Sequence, residues 1–324
     1  MRCHISAAYK SDIGKVRVRN EDTGFVEIAH EDVALLIVAD GMGGYRAGDK
    51  ASSLAVETIR AELEPLLNFN DTQHITSSNQ PTIRLNDKDP NERSTIVLPE
   101  TAESDFVTGF IHNAVQRAHA EIIAYGKQHR ESRGMGSTVT LCVVIRNRAY
   151  FANVGDSRSY ILMNGDLRPV TKDHSLVARL VDSGEITQQD VYSHPNRNLI
   201  YRSLGAEEQH NLEVDIFELD LQSGAMIMLC SDGLWEKVRE PELLQILQSE
   251  MYLPDMCDTL VKKANEYGGE DNITVAIARC SFTADSTAVL RNSISDADTG
   301  EQNSVSAESP DASQTSANTS NAGK

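Results

Sequence analysis

Val33-Ala34-Leu35-Leu36-Ile37-Val38-Ala39-Asp40-Gly41-Met42-Gly43-Gly44 is an apolar run that ends abruptly in an acid and a cluster of glycines. Residues 33–39 are all apolar and lack the alternation of a half-exposed strand, so they predict a strand buried on both faces. Three further segments repeat the pattern. Residues 149–154 lead into Gly155-Asp156-Ser157, and residues 225–230 into Ser231-Asp232-Gly233. Gly268-Gly269-Glu270-Asp271-Asn272 enters a predicted strand at 273–278 instead of leaving one, and residues 138–145 form another apolar run.

A single acid at a strand end commonly starts a turn by hydrogen-bonding its own backbone. Four of them, each joined to a buried strand, would crowd together where the strands converge. Crowded carboxylates repel, and must share protons or bind a cation. No His or Cys cluster accompanies them, so the donor set is all oxygen and suits Mg²⁺ or Mn²⁺ better than zinc. The glycines after Asp40 let backbone approach a ligand closely, and a glycine carbonyl is itself a ligand for a hard cation. Upstream, Arg17-Val18-Arg19-Asn20-Glu21-Asp22 sets a guanidinium beside two more acids. By itself that reads as a surface ion pair; beside a metal site, Arg is the natural fork for a phosphate dianion.

Two longer stretches carry helical periodicity. In residues 49–67, Ala51, Leu54, Ala55, Ile59, Leu63 and Leu66 recur at helical spacing, as do Phe106, Phe110, Ala114, Ala118 and Ile122 in residues 105–128. Shorter helices are predicted near 176–183, 240–248 and 255–267. Strands clustered with helices, without strict alternation, indicate an α+β fold. Residues 68–104, with Pro81, Pro90 and Pro99 among Asn, Asp, Ser and Thr, read as a long polar insertion loop inside a domain spanning 1–282. Residues 283–324 are rich in Ser, Asn and Asp, and bury too little apolar surface to offset their ordering entropy, so a disordered tail is expected.

Composition narrows the function. The 324 residues carry 48 acids against 30 Lys and Arg, a net charge of −18 that disfavours nucleic-acid binding. No apolar run reaches the roughly 18 residues of a membrane span, so no membrane association is expected. The five cysteines are odd in number and contain no CxxC pair, which fits a reducing, cytoplasmic setting and argues against a zinc site. None has an evident His partner, which argues against a cysteine nucleophile.

These segments together resemble the bacterial metal-dependent serine/threonine protein phosphatases of the PPM, or type-2C, family. The matching motifs run in the family's order: Arg17-x-x-Asn20-Glu21-Asp22, Ala39-Asp40-Gly41-Met42-Gly43-Gly44, Gly134-Met135-Gly136-Ser137-Thr138, Gly155-Asp156-Ser157-Arg158, Asp173-His174-Ser175, Ser231-Asp232-Gly233-Leu234 and Asp271-Asn272-Ile273-Thr274. The resemblance implies a four-layer α-β-β-α sandwich of two mainly antiparallel sheets, with two Mn²⁺ or Mg²⁺ ions at one end. It implies that Asp40 bridges both ions, that the Gly41 carbonyl binds one, and that Asp232 and Asp271 complete the other. Glu21 and Asp22 match the acids that hold water at the metals, and Arg17 the phosphate-binding arginine. Asp156, with Asp232, matches the site of a third, weaker ion, and residues 176–208 the mobile flap beside the cleft. Two cations about 3.5–4 Å apart would bring a bridging water towards a pKa of about 7 and clamp an in-line displacement at phosphorus. Phosphorylated proteins are the implied partners, a serine/threonine kinase the implied counterpart, and a monomer the implied state.

The chain departs from the family at two positions where members carry histidine. Met42 follows Asp40-Gly41 and cannot transfer a proton; Tyr45 follows the paired glycines, and a phenol with a pKa of about 10 is a poor proton carrier at pH 7. Leaving-group protonation is thereby unassigned, with His174 and His194 weaker candidates, His174 in a helix-start setting that suits a structural role. Two other readings share the motifs: an inactive relative acting as a binding or sensor module, and a hydrolase of small phosphoesters.

Overall fold

A computed structural model describes residues 2–43, 47–68, 100–206 and 212–283. The opening run forms β3 (Val33–Met42), and its side chains alternate between two cores. Leu35, Ile37 and Ala39 pack with Ile59, Leu63, Ile111 and Ile122, whereas Ala34, Leu36 and Val38 pack with Phe151, Ile161, Ile227 and Leu229. Every residue of the run is apolar because neither face meets water.

Two sheets carry this arrangement. One runs in the order β1 (Arg2–Asp12), β11 (Ile273–Thr283), β10 (Met226–Cys230), β7 (Arg158–Met163) and β8 (Asp166–Pro169). The other runs β2 (Asp22–His30), β3, β5 (Val139–Ile145), β6 (Arg148–Val154) and β9 (Asp215–Asp220), with the short β4 (Gly136–Ser137) paired to the end of β3. Every pairing among the described residues is antiparallel. Helices α1 (Gly48–Leu67) and α2 (Glu100–Gln128) cover the second sheet, through Ala51, Ala55, Ile59, Leu63, Ile111 and Ala118. Helices α4 (Asp232–Trp235), α5 (Glu240–Leu247) and α6 (Leu253–Glu266) cover the first, through Leu234, Trp235, Leu243, Met256 and Leu260. The result is the expected α-β-β-α sandwich. Between β8 and β9 lies an excursion bearing α3 (Leu176–Asp182) and a single helical turn at Asp190–Ser193.

The differences from the sequence reading have physical causes. Four of the additional strands, β1, β2, β8 and β9, lie at sheet edges, where polar residues break up the apolar signal. Of the other two, β4 is only two residues long, and β7 opens with Arg158 and Ser159, polar residues buried because each finds a partner: Arg158 pairs with Asp173, and Ser159 bonds Thr140. Helix α2 starts at Glu100, not at 105, so the polar loop loses its last five expected residues. Glu-Thr-Ala-Glu-Ser offers no large apolar side chain to periodicity, but acids in a first turn favour a helix N-terminus. Residues 69–99 and 284–324, which include most of the expected loop and tail, lie outside the described residues.

Leu36, fully buried between the sheets, reports on the inter-sheet core. Leu36→Ala is expected to cost about 2–5 kcal/mol of unfolding free energy, measured as a lower urea midpoint with an unchanged m-value.

Candidate metal centre

One end of the sandwich gathers the acids. Asp22 and Asp40 stand directly opposite each other in the β2–β3 ladder, which places two carboxylates where like charges oppose pairing. Asp156 occupies the turn between β6 and β7, Asp232 is the first residue of α4, and Asp271 immediately precedes Asn272 and β11. Asp22, Asp156 and Asp232 are only 8%, 6% and 9% exposed. Asp40 feels the charges of Asp22, Asp232, Asp156 and Asp271, and Asp232 those of Asp156, Asp271 and Asp22. The acids read from the sequence as one cluster therefore lie close enough to act on one another's charge.

Glycines make the meeting possible. A Cβ on Gly41 would lie 1.9 Å from the Gly48 carbonyl oxygen, so the end of β3 touches the start of α1 backbone to backbone. A Cβ on Gly233 would lie 2.0 Å from the Asn272 carbonyl oxygen, which joins the Asp232 turn to the Asp271 turn in the same way. In each Asp-Gly pair the glycine permits the close approach that brings its acid into the cluster.

Side chains outside the predicted set fix the remaining loops. Asn272 accepts from the Glu21 backbone N–H at 2.8 Å and donates to the carbonyls of Ile13 and Arg19, both at 2.9 Å. It thus pins the Arg17-bearing segment to the Asp271 turn. Ser231 donates to Asp22 Oδ2 at 2.7 Å and accepts from the Thr274 N–H. Thr138 Oγ1 accepts from the Asp40 N–H at 3.0 Å, and Ser137 donates to the Asp40 carbonyl. All four stand inside the recognised motifs, but a lone sequence does not distinguish residues that hold a loop from those that hold a ligand.

Arg17 lies at the rim, its side chain 47% exposed, with Nη2 2.7 Å from Asp271 Oδ2. Asp40 and Asp232 also act on its charge. The Glu21 carboxylate lies against Gly48 at the start of α1, and burial raises its pKa. Met42 ends β3, Tyr45 lies outside the described residues, and the His194 ring accepts from the Asn196 N–H in the excursion between β8 and β9. Ser175, beside His174, is the N-cap of α3 and accepts from Ala178 N–H.

Burial, more than mutual repulsion, strains these acids. It raises Asp22 to about 6 and Asp156 to about 7, and holds Asp40 and Asp232 well above the ordinary carboxylate range, with neighbouring acids adding to all four. Oδ1 of Asp22 and Oδ1 of Asp232 are buried without a hydrogen-bond partner. Unpaired buried carboxylate oxygens call for a proton or a cation. Among the described residues, no three His, Cys, Asp or Glu side chains are grouped closely enough to form a metal site from side chains alone. The donor chemistry nonetheless suits hard divalent ions: orphaned carboxylate oxygens, further carboxylates around them, and the Gly41 carbonyl.

The protein phosphatase 2C family model matches residues 15–271, which spans all five aspartates and Arg17. The chain belongs to the protein phosphatase 2C family. The serine/threonine phosphatase stp of Listeria monocytogenes is 36% identical over 277 residues, covering 86% of this chain and 96% of that protein. Protein phosphatase PhpP of Streptococcus pneumoniae is 31% identical over 82% of this chain and 94% of its own length. Among solved structures, the Mycobacterium tuberculosis serine/threonine phosphatase PstP superposes with a TM-score of 0.68 at 30% identity, covering 86% of this chain and 99% of that one. The PstP catalytic domain has also been solved with two manganese ions, at a TM-score of 0.66 and 29% identity over 86% of this chain and all of that one. No helix among the described residues of this phosphatase 2C chain is long and apolar enough to cross a membrane.

The raised carboxylates give the metal-free protein a definite pH dependence. Their folded pKa values exceed the unfolded ones, so the folded state binds more protons from about pH 4 upward, and stability falls as pH rises to about 7. In EDTA the melting temperature is expected to drop between pH 5 and pH 8. Saturating Mn²⁺ should remove that slope, as read by calorimetry at fixed ionic strength.

Proposed function

We infer that this chain is a metal-dependent protein phosphatase that hydrolyses phosphoserine and phosphothreonine. The observation that carries the reading is the buried carboxylate cluster, with two orphaned oxygens, in a phosphatase 2C fold that presents an arginine at its rim. The manganese-bound PstP structure supports Mn²⁺ for the corresponding site. Mg²⁺ is proposed on donor chemistry, which does not separate the two ions strongly.

Asp40 would hold both ions, the Gly41 carbonyl one of them, and Asp232 and Asp271 the other. Asp156 and Asp232 would hold a third, weaker ion. Two such ions supply an activated water at neutral pH and neutralise charge on the transferring phosphoryl group. Around them, Glu21 and Asp22 accept hydrogen bonds from water and orient it. Arg17 binds the phosphate through its guanidinium fork, which is half exposed and already aimed at the cluster through Asp271. The bound charge also reverses the local sign of an acidic protein, which otherwise repels a dianion at long range. All five cysteines are free and buried, leaving no accessible thiol nucleophile. A kinase counterpart, a cytoplasmic setting and a monomeric state belong to the same proposal, supported by the bacterial phosphatase relatives and by the unpaired thiols.

Hydrolysis of a phosphothreonine peptide in about 2 mM Mn²⁺, in Mg²⁺ and in EDTA tests the reaction. Metal-dependent phosphate release is expected; release in EDTA, or none from a folded protein in either metal, would overturn it. A nucleotide run alongside separates protein phosphatase from small-phosphoester hydrolase.

Two substitutions test the assignments. Asp232→Asn should bring phosphate release to background, while its melting temperature in EDTA stays equal to or above that of the parent, because a strained buried charge is gone. Arg17→Ala should raise KM for the phosphopeptide by about tenfold or more, the loss of one charge-assisted contact. Its Mn²⁺ affinity should change far less, and the reverse pattern would make Arg17 a structural residue of the metal centre.

A further inference from the structure

His174 grips Gly155 from both sides. Its backbone N–H donates to the Gly155 carbonyl at 2.8 Å, and its ring Nδ1 accepts from the Gly155 N–H at 3.0 Å. Gly155 has φ +110°, and a Cβ there would lie 2.6 Å from Thr138 Cγ2, so the turn accepts only glycine. The next residue is Asp156, whose carbonyl accepts from Trp235 Nε1 at 3.0 Å. The acid is therefore held on one side by His174, through Gly155, and on the other by Trp235.

The ring's protonation state follows from its partners. A backbone N–H can only donate, so Nδ1 carries a lone pair and the proton of the neutral ring lies on Nε2. Nε2 faces Asp215 Oδ2 at 3.2 Å, and Arg202 Nη1 stands 3.0 Å from it while donating to Asp215 Oδ1 at 2.8 Å. The ring is 3% exposed; burial pushes its pKa down, against the upward pull of Asp215, and keeps it neutral. The same residue anchors the excursion that bears α3. Its carbonyl accepts from the Tyr201 N–H, Ser175 bridges to Ile200, and the Leu176 N–H donates to the Leu199 carbonyl.

We propose that His174 is a positioning residue that sets Asp156 for cation binding, with Asp215 and Arg202 as its anchor on β9 and on the excursion. The proposal rests on the reading of Asp156 as a ligand of the third ion. It gives a purpose to a buried histidine that the hydrolytic chemistry does not use, and it makes the excursion and the metal centre share one residue.

Mn²⁺ titration calorimetry on the full chain, comparing the parent with H174L, H174N, D215N and D156A, tests this. Asparagine puts Oδ1 where Nδ1 stands, so H174N keeps the acceptor for Gly155 and loses the reach to Asp215. D156A is expected to lose the weakest binding event. H174L should weaken that event about tenfold or more, with the tighter events unchanged, and H174N should recover most of the loss. The Gly155 amide resonance should move in H174L and stay near its parent position in H174N. If H174L fails to fold, D215N carries the test: with its anchor on β9 gone the ring is held less firmly and the weak event should weaken, and an unchanged event there overturns the proposal. A weak event unchanged in every folded His174 and Asp215 variant, with D156A losing it, overturns the proposal alone. If D156A keeps every event, the ligand reading of Asp156 fails and this proposal with it, whatever phosphate release Asp232→Asn shows.

Discussion

Like charges driven into one dry corner are what the rest of this protein is arranged around. Asp22 and Asp40 face each other across a ladder, and Asp156, Asp232 and Asp271 arrive from three other turns. Nothing in folding alone rewards such a collection, since each buried carboxylate raises the free energy of the native state unless something neutralises it. The sandwich supplies the opposing stabilisation from three apolar cores. Leu36 and Phe151 between the sheets, Ile59 and Ile111 under one helical layer, and Met256 and Leu260 under the other are all fully buried. A fold with that much apolar burial tolerates an acidic end that a smaller domain would not.

Tolerance is not the same as placement, and placement here is done largely by backbone. The backbone of Gly41 lies against that of Gly48, and that of Gly233 against that of Asn272, and Asn272, Ser231 and Thr138 tie off the segments that those contacts bring together. The acids therefore stand at strand ends, a helix start and turns of rigid elements, with hydrogen bonds at the base of Asp22, Asp40 and Asp271. Such a shell can hold repelling groups in register without relying on the groups themselves.

The strands beside Asp40, Asp156, Asp232 and Asp271 were plain in the sequence because they are buried on both faces, and a fully buried strand needs no partner to be recognised. Asp40, Asp156, Asp232 and Asp271 could be read for the same reason: an acid that interrupts an apolar run is conspicuous. The edge strands β1, β2, β8 and β9 were not legible, since half their residues meet solvent and their periodicity is diluted. Nor was Arg158 in β7, whose burial depends on Asp173, 15 residues away in sequence, and on the Trp235 ring 3.5 Å from its guanidinium. The work of Asn272 was equally hidden, because its three partners lie more than 250 positions upstream. Local pattern reveals what a residue is beside in the chain, whereas these roles depend on what it is beside in space.

Strand β11 is laid between β1 and β10, pairing with Arg2–Asp12 on one side and Met226–Cys230 on the other. During synthesis, then, β1 waits for a neighbour until almost the whole domain has left the ribosome, and Arg17 waits equally long for Asp271, 254 residues later. A nascent chain that carries Arg17, Asp22, Asp40, Asp156 and Asp232 still lacks β11, the strand that joins β1 to the rest of its sheet, and the Asp271 turn beside it. The order of the strands thus acts as a timer: the first strand of the chain and the rim arginine both gain their partners from the domain's final segment.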